Sequence, residues 1–406
     1  MKNWIAVILL LVLAVSAYGQ DFISWQMAEP VVSDARSSAL GHAEIFGGLD
    51  GNAMFANPAW MANTHDLNVS FGGSSRFGSI DNPQLSHYYE DLNQSYTGAF
   101  VPEYVTAALP LRIKPIPISF AVGVGIWTMH RQGWDYEYEG TDEDGTSTDT
   151  YKYNGTLQAA GPSVAVDLFD MLFAGVTVAT CATSEVSMEN TYVYESDNSS
   201  SESSDNIYAT PTFDVAILSG VLKPNENLKF GVMIRPAYDI EYTDIKLESD
   251  GGTLYMNDGT ITMPGTVGFS FSLTTDDQMV ELLAEYQTRY WSMLEFDGSF
   301  DEYNDYKFED GQALRLGLQL GAIQFGYFME DVIADASLYE TMSPITRSGL
   351  TFGIGYRGKR ISLHGFGEYG WMNTEYETVD EWGYVYTETI DHTIWRVGVG
   401  MGIHLF

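Results

Sequence analysis

The sequence predicts an all-β fold, a transmembrane antiparallel β-barrel of about fourteen strands. Three observations lead there. The chain opens with an export-type segment, it then repeats stretches of alternating polarity, and the links between those stretches alternate between short and long.

The N-terminus comes first. Lys2 is followed by an unbroken apolar stretch over residues 4–15, and Ala17, Tyr18 and Gly19 bring small residues to the positions before a cut. This is the build of a cleaved secretory signal, expected to span 1–19. No Cys follows it to carry a lipid anchor, and no later apolar run approaches the ~20 residues of a helical span. An exported soluble protein and a β-barrel remain.

Composition separates these two. Aromatic residues make up 14% of the chain and Gly numbers 40, whereas only 18% of residues are charged despite a formal net charge of −36. A soluble protein of that net charge would carry many charges of both signs. Here the acid collects in particular segments, as in a barrel with polar loops. Nothing in this charge balance invites nucleic acid as a partner. The lone Cys181 lies in an apolar alternation and reads as a packing residue.

Strand-like stretches fall at 66–73, 103–111, 116–129, 154–168, 171–187, 206–221, 227–241, 259–273, 279–295, 312–320, 322–330, 347–357, 360–372 and 390–406. An even count of about-ten-residue alternating segments is the signature of a bacterial barrel. The short links include residues 112–115, Phe169-Asp170, residues 223–226 and 274–278, Gly321 and Gly358-Lys359. The long ones are 74–102, 130–153, 188–205, 242–258, 296–311, 331–346 and 373–389, and they hold most of the acid. Short periplasmic turns and long outer loops account for this alternation. Trp127, Trp134, Tyr151, Tyr153, Tyr290, Trp291, Tyr369, Trp371 and Trp395 cluster where strands meet long links, as expected of an interfacial girdle.

Parity sorts the faces. Leu228, Phe230, Val232 and Ile234 share one face, opposite Lys229, Gly231, Met233 and Arg235. Leu314, Leu316, Leu318 and Leu320 likewise oppose Ala313, Arg315, Gly317 and Gln319. The lumen is thus expected to receive Arg235, Glu285, Arg289, Arg315, Arg347, His364, Glu368 and Arg396. The last strand ends on Phe406, yet its apolar residues share parity with Leu405, so a register shift or bulge is expected there.

Residues 20–65 break the strand pattern. They run through Ala39-Leu40-Gly41, Gly47-Gly48-Leu49-Asp50-Gly51 and Asn57-Pro58-Ala59. This order resembles the N-terminal hatch of the FadL/TodX long-chain fatty-acid transporter family, and PorV-like proteins of a secretion system open similarly. Met263-Pro264-Gly265 with Gly268, then Glu285-Tyr286 and Arg289-Tyr290-Trp291-Ser292, is similar to a central hairpin of that family. The pattern over 345–371 is closer to the fatty-acid branch.

The resemblance implies three parts: a signal over 1–19, a hatch over 20–65 plugging the lumen, and a barrel over 66–406. It implies that Gly41, Gly47, Gly48 and Gly51 permit tight turns in a narrow space and that Asn57 and Pro58 set the exit to the first strand. It also implies passive transport of hydrophobic small molecules such as long-chain fatty acids across a Gram-negative-type outer membrane, or docking of exported proteins if the PorV-like pattern dominates. The expected partners are outer-membrane lipid, a hydrophobic ligand and the barrel-assembly machinery.

Two readings of the inward charges stay open. One or two of Arg235, Arg289, Arg315, Arg347 and Arg396 could grip a carboxylate head, with Met233 and Phe366 lining an apolar pocket. Equally, these charges could brace the wall against Asp34, Arg36, Glu44 and Asp50. Gly123 and Gly125 are candidates for a strand kink. Asp142-Glu143-Asp144-Gly145 matches a calcium loop only in part. The chain carries no G-x-S-x-G elbow, HExxH or P-loop, so no enzyme activity, metal or cofactor is expected.

Overall fold

The computed structural model describes residues 34–48, 50–81, 93–97, 100–112, 117–132, 135–141, 146–196, 199–249, 252–299, 308–332, 345–379 and 385–405. The signal region, Trp134, residues 142–145 and Phe406 therefore lie outside the described residues, as do the side chains of Tyr151 and Tyr153.

Fourteen antiparallel strands close into a barrel: β1 Leu67–Asp81, β2 Val101–Arg112, β3 Ile118–Gln132, β4 Thr146–Leu168, β5 Leu172–Cys181, β6 Asp214–Asn225, β7 Leu228–Arg235, β8 Thr266–Thr274, β9 Val280–Arg289, β10 Gly311–Leu320, β11 Ile323–Val332, β12 Ile345–Arg357, β13 Ile361–Val379 and β14 Val385–Leu405. Each strand pairs with the next, and β14 returns to β1 from Leu67 opposite Leu405 to Asp81 opposite Asp391. Closure leaves no barrel strand at a bare edge, which a wall in lipid requires.

Alternation sets the two faces. Phe230, Ile234, Phe269, Leu282, Leu316, Phe325, Phe352, Ile354, Val397 and Val399 stand exposed outside, while Glu285, Arg289, Arg315, Arg347, Glu368 and Arg396 are buried inside. An apolar outer band of this extent belongs in lipid. At the short-link end, Phe169 and Asp170 both hold positive φ (64° and 55°), the geometry of a two-residue hairpin whose twist matches its strands.

The long links are more ordered than their acidity suggests. Asp135–Thr141, the outer part of β4, Val186–Ser196, Ser199–Thr212, Tyr238–Ser249, Gly252–Tyr255, Gly259–Met263 and Glu295–Gly298 pair into a second sheet above the barrel. Segments read from sequence as single strands over 171–187, 206–221, 227–241, 259–273 and 279–295 each join a barrel strand to neighbouring structure across a break. Two of these breaks are Pro236-Ala237 and Pro264-Gly265, where proline interrupts a ladder. Polarity alternates in both sheets, so alternation alone does not mark where the chain leaves the wall.

Three further expectations change. Trp127 and Trp291 are buried in the interior rather than in a girdle, whereas Trp371, Trp395 and Tyr290 do face outward. Tyr369 packs on Trp395 with ring centres 4.5 Å apart. The last strand has no bulge, because its pairing with β13 and β1 runs unbroken over 391–403. Trp395, Val397 and Val399 simply point to lipid and Arg396 inward. Finally, β3 stays paired on both sides through Gly123 and Gly125, and its register shift lies beyond them, between Thr128 and His130.

Candidate functional site

Residues 34–48 and 50–64 occupy the barrel interior. They form two short helices, Ala35–Ala39 and Glu44–Gly47, then 3₁₀ turns Asp50–Phe55 and Pro58–Asn63. Asp34 caps the first helix by accepting from Ser37 N at 2.8 Å, and Pro58 opens the last turn, where a missing N–H costs nothing.

Small residues make this nesting feasible. A Cβ at Gly317, Gly326 or Gly353, on three consecutive strands, would run into Leu40, Gly41 or Ala39. Across the lumen, Gly175 faces Ala59, Gly123 faces Met61 and Gly125 faces Met54, while Gly231 and Gly268 face Ile45. Gly123 and Gly125 therefore serve as seats for methionine side chains rather than as a kink. Of the glycines expected to make tight turns, Gly41 holds φ +70°, a value that favours glycine. Gly47 is closely packed on Ser37, Gly51 stands against Thr106, and Gly48 has neither a positive φ nor a crowded Cβ position. Asn57 is fully buried and donates to Ile45 O at 2.6 Å.

Polar contacts tie the segment mainly to one side of the wall. Arg36 Nη2 pairs with Glu281, and its Nη1 donates to the carbonyls of Phe46 and Gly47. His42 Nε2 lies 2.9 Å from Glu368, Ile45 N donates to Glu285 at 2.8 Å, and Asp50 accepts from Arg357 at 3.2 Å. Asp34 bonds within the segment, to Ser37 N and Asn52.

Just outward of these contacts, β9–β14 carry a buried ionic layer. Glu330 accepts from Arg347 at 2.8 Å and from Arg289 and Arg315 at 3.3 Å each. Arg315 also meets Glu285 at 3.0 Å, and Arg396 grips both oxygens of Glu103 on β2. The opposite wall, on β3–β7, buries the apolar side chains Trp127, Met129, Leu157, Ala179, Ile217 and Met233, with polar Thr128, His130 and Thr177 among them and Lys229 and Arg235 on the inner face of β7. The apolar ones belong to one buried cluster with Tyr238, Ile240, Tyr242, Ile261 and Phe296 of the second sheet and with Met54, Phe55 and Trp60 of the lumenal segment.

Between the two walls and the lumenal segment lies a compartment of about 20 Å³, lined by Phe55, Trp127, Met129, Ile217 and Met233 together with Glu44, Arg235, Thr266, Gln287 and Arg289. At the short-link end lies a larger polar vestibule of about 320 Å³, bordered by Arg36, Lys223, Lys229, Glu281, Gln324, Arg357 and His364.

The sequence-selected residues thus divide. Arg235, Arg289 and Met233 come together at the compartment. Arg315, Arg347 and Arg396 are engaged in ion pairs, and Phe366 lies 5.1 Å under the Arg396 guanidinium. Sequence reading missed Glu330 and Glu103 as partners, although Glu330 shares parity with the inward Gln324, Gly326 and Phe328. It also missed the apolar wall, because Trp127 resembled an interface anchor.

No protein-family model and no curated protein matches the chain. Among solved structures, the fold is similar to that of a Pseudomonas aeruginosa FadL homologue, with 11% identity and TM-score 0.63 over 93% of this chain and 100% of that one. The P. putida toluene transporter TodX aligns at 11% identity and TM-score 0.58, over 93% and 99% of the two chains. The Ralstonia pickettii toluene transporter TbuX aligns at 13% and 0.52, over 92% and 98%. The chain therefore has the barrel fold of these proteins.

Proposed function

We propose that this barrel is an outer-membrane channel for hydrophobic small molecules, long-chain amphiphiles such as fatty acids among them, working passively. The observation that carries the reading is the apolar wall. It runs from the inner face of the second sheet, down β3–β7, to the compartment against the lumenal segment. A general porin would offer water and charge along that path; here an apolar ligand meets matching side chains.

Axial passage is unfavourable for such a ligand. Beyond the compartment stand the lumenal segment, tied to the wall by the Arg36–Glu281 pair, and a polar vestibule, and an apolar molecule would have to break such contacts to cross them. Either the lumenal segment moves as a plug, or the ligand leaves through the wall. The β4–β5 ladder is interrupted at Gly161 and Pro162, between Ala160–Thr180 and Ser163–Thr177, with the register unchanged and the backbones still in contact, so the second route would have to part these strands.

Docking of exported proteins has one feature in its favour. Leu254, Tyr255 and Met256 stand exposed together at a hairpin of the second sheet. Mass spectrometry on gently purified protein decides between the readings. Co-purifying fatty acids or hydrocarbons are expected; a stoichiometric protein partner with no such molecule would reject the channel.

A further inference from the structure

We infer that two histidine–carboxylate contacts latch the lumenal segment to the wall and tighten in acid, which makes the segment a pH-sensitive plug. The inference concerns the segment rather than the cargo, and it stands whichever molecule the barrel carries.

The segment has two kinds of tie. Arg36–Glu281 and Arg357–Asp50 rely on arginine, which keeps its proton at any physiological pH. Two further ties rely on histidine, which does not. His42 of the segment places Nε2 2.9 Å from Glu368 on β13, and His404 on β14 places Nε2 3.8 Å from Asp50 of the segment. The longer contact is beyond hydrogen-bond reach, and His404 Nε2 has no other partner among the described residues. A neutral ring adds little there, whereas an imidazolium is drawn onto the carboxylate. The His42 contact is a hydrogen bond already and becomes charge-assisted when the ring is protonated. Both contacts are almost wholly buried, so their attraction is less screened than at the surface.

The neighbouring charges do not cancel these attractions. Around His42 stand Glu368, Glu330 on β11, and two arginines, Arg347 on β12 and Arg396 on β14, each 3.9 Å from Glu368. Around His404 stand Asp50 and the Arg357 that pairs with it. His364 on β13 opposes them. It faces Arg36 and Arg357, and neither ring nitrogen has a partner among the described residues. It also borders a small cavity with Asp34 and Asp50. Two histidines thus meet carboxylates directly, against one that meets arginine.

Backbone strain marks the same two points. His42 and Asp50 hold φ of 61° and 55°, and Gly41 is the only other described residue of the segment with a positive φ. Left-handed backbone at such side chains persists where surrounding contacts hold it. The segment is therefore gripped through titratable contacts at the places where release would relax it. Linkage gives the sign. The latched state takes up protons at His42 and His404, so latching strengthens as pH falls through the histidine range and fades as pH rises through it.

The test is amide hydrogen exchange on the full-length purified barrel, corrected for the intrinsic effect of pH. Peptides of the lumenal segment are compared with peptides of β6. Protection of the segment is expected to be about tenfold higher at pH ~5.5 than at pH ~8, with β6 unchanged. His404→Gln removes no side-chain hydrogen bond and should cut that difference to about threefold, half of it on a logarithmic scale. Adding His42→Gln should abolish it. If the double variant does not fold, Asp50→Asn replaces it, because it removes the partner of His404 and should match His404→Gln. Segment protection that ignores pH or falls in acid overturns the inference. So does a pH dependence as large in His404→Gln and Asp50→Asn as in the parent. The measurement involves no cargo, so its failure leaves the channel reading untouched.

Discussion

Glu330 shows how much can depend on one carboxylate. Three guanidinium groups on β9, β10 and β12 converge on it in a buried setting. Replacing it by Gln would leave those charges with too few anions, a change of the kind that costs about 3–5 kcal/mol. Glu330→Gln should therefore lower the denaturant midpoint of the folded barrel markedly, while Glu226→Gln at the exposed short-link rim should hardly move it. Glycine gives a second residue-scale contrast. Gly326→Ala sets a methyl against the backbone of Gly41 and should cost about 1–3 kcal/mol. Gly367→Ala, on the same barrel but with nothing within 4 Å of its Cβ position, should be neutral within about 0.5 kcal/mol. Equal effects in unfolding titrations would mean that the inward glycines are not seats.

The elements differ in how readable they were. All fourteen barrel strands are recognisable from polarity alternation and link lengths, since a wall between lipid and a packed lumen imposes period two on every crossing. The second sheet was not recognisable, because Asp, Glu, Ser and Tyr in strands such as Ser199–Thr212 look like loop chemistry when their pairing partners are distant in sequence. The lumenal segment, which escaped the strand pattern, can be tested as an element. A Cβ built at Gly51 would lie 3.5 Å from that of Ala108, at the short edge of disulfide geometry. Gly51→Cys with Ala108→Cys, in a Cys181→Ala background, should tether the segment to β2. If the segment acts as a moving plug, oxidation should stop ligand uptake and reduction should restore it. Unchanged uptake by the oxidised protein would favour exit through the wall.

At the scale of the molecule, the lumen is divided lengthwise, with the ionic layer on β9–β14 and most of the apolar surface on β3–β7, where β7 adds Lys229 and Arg235, over a segment held mostly by the ionic side. Sequence parity located the inward arginines, and they are inward. It could not say which were occupied, since Glu103 and Arg396 are partners only because β2 and β14 both flank β1 in the closed barrel. The site is legible as residues, then, but not as pairs. The channel proposal also has a simple whole-molecule consequence: the barrel should admit apolar molecules without being an open aqueous pore. The most direct measurement places the full-length protein in an outer membrane and follows uptake of a long-chain apolar compound, with single-channel ion conductance recorded in parallel. The account predicts faster uptake with no porin-like conductance. Steady ion conductance, or uptake no faster than in cells lacking the barrel, would contradict it.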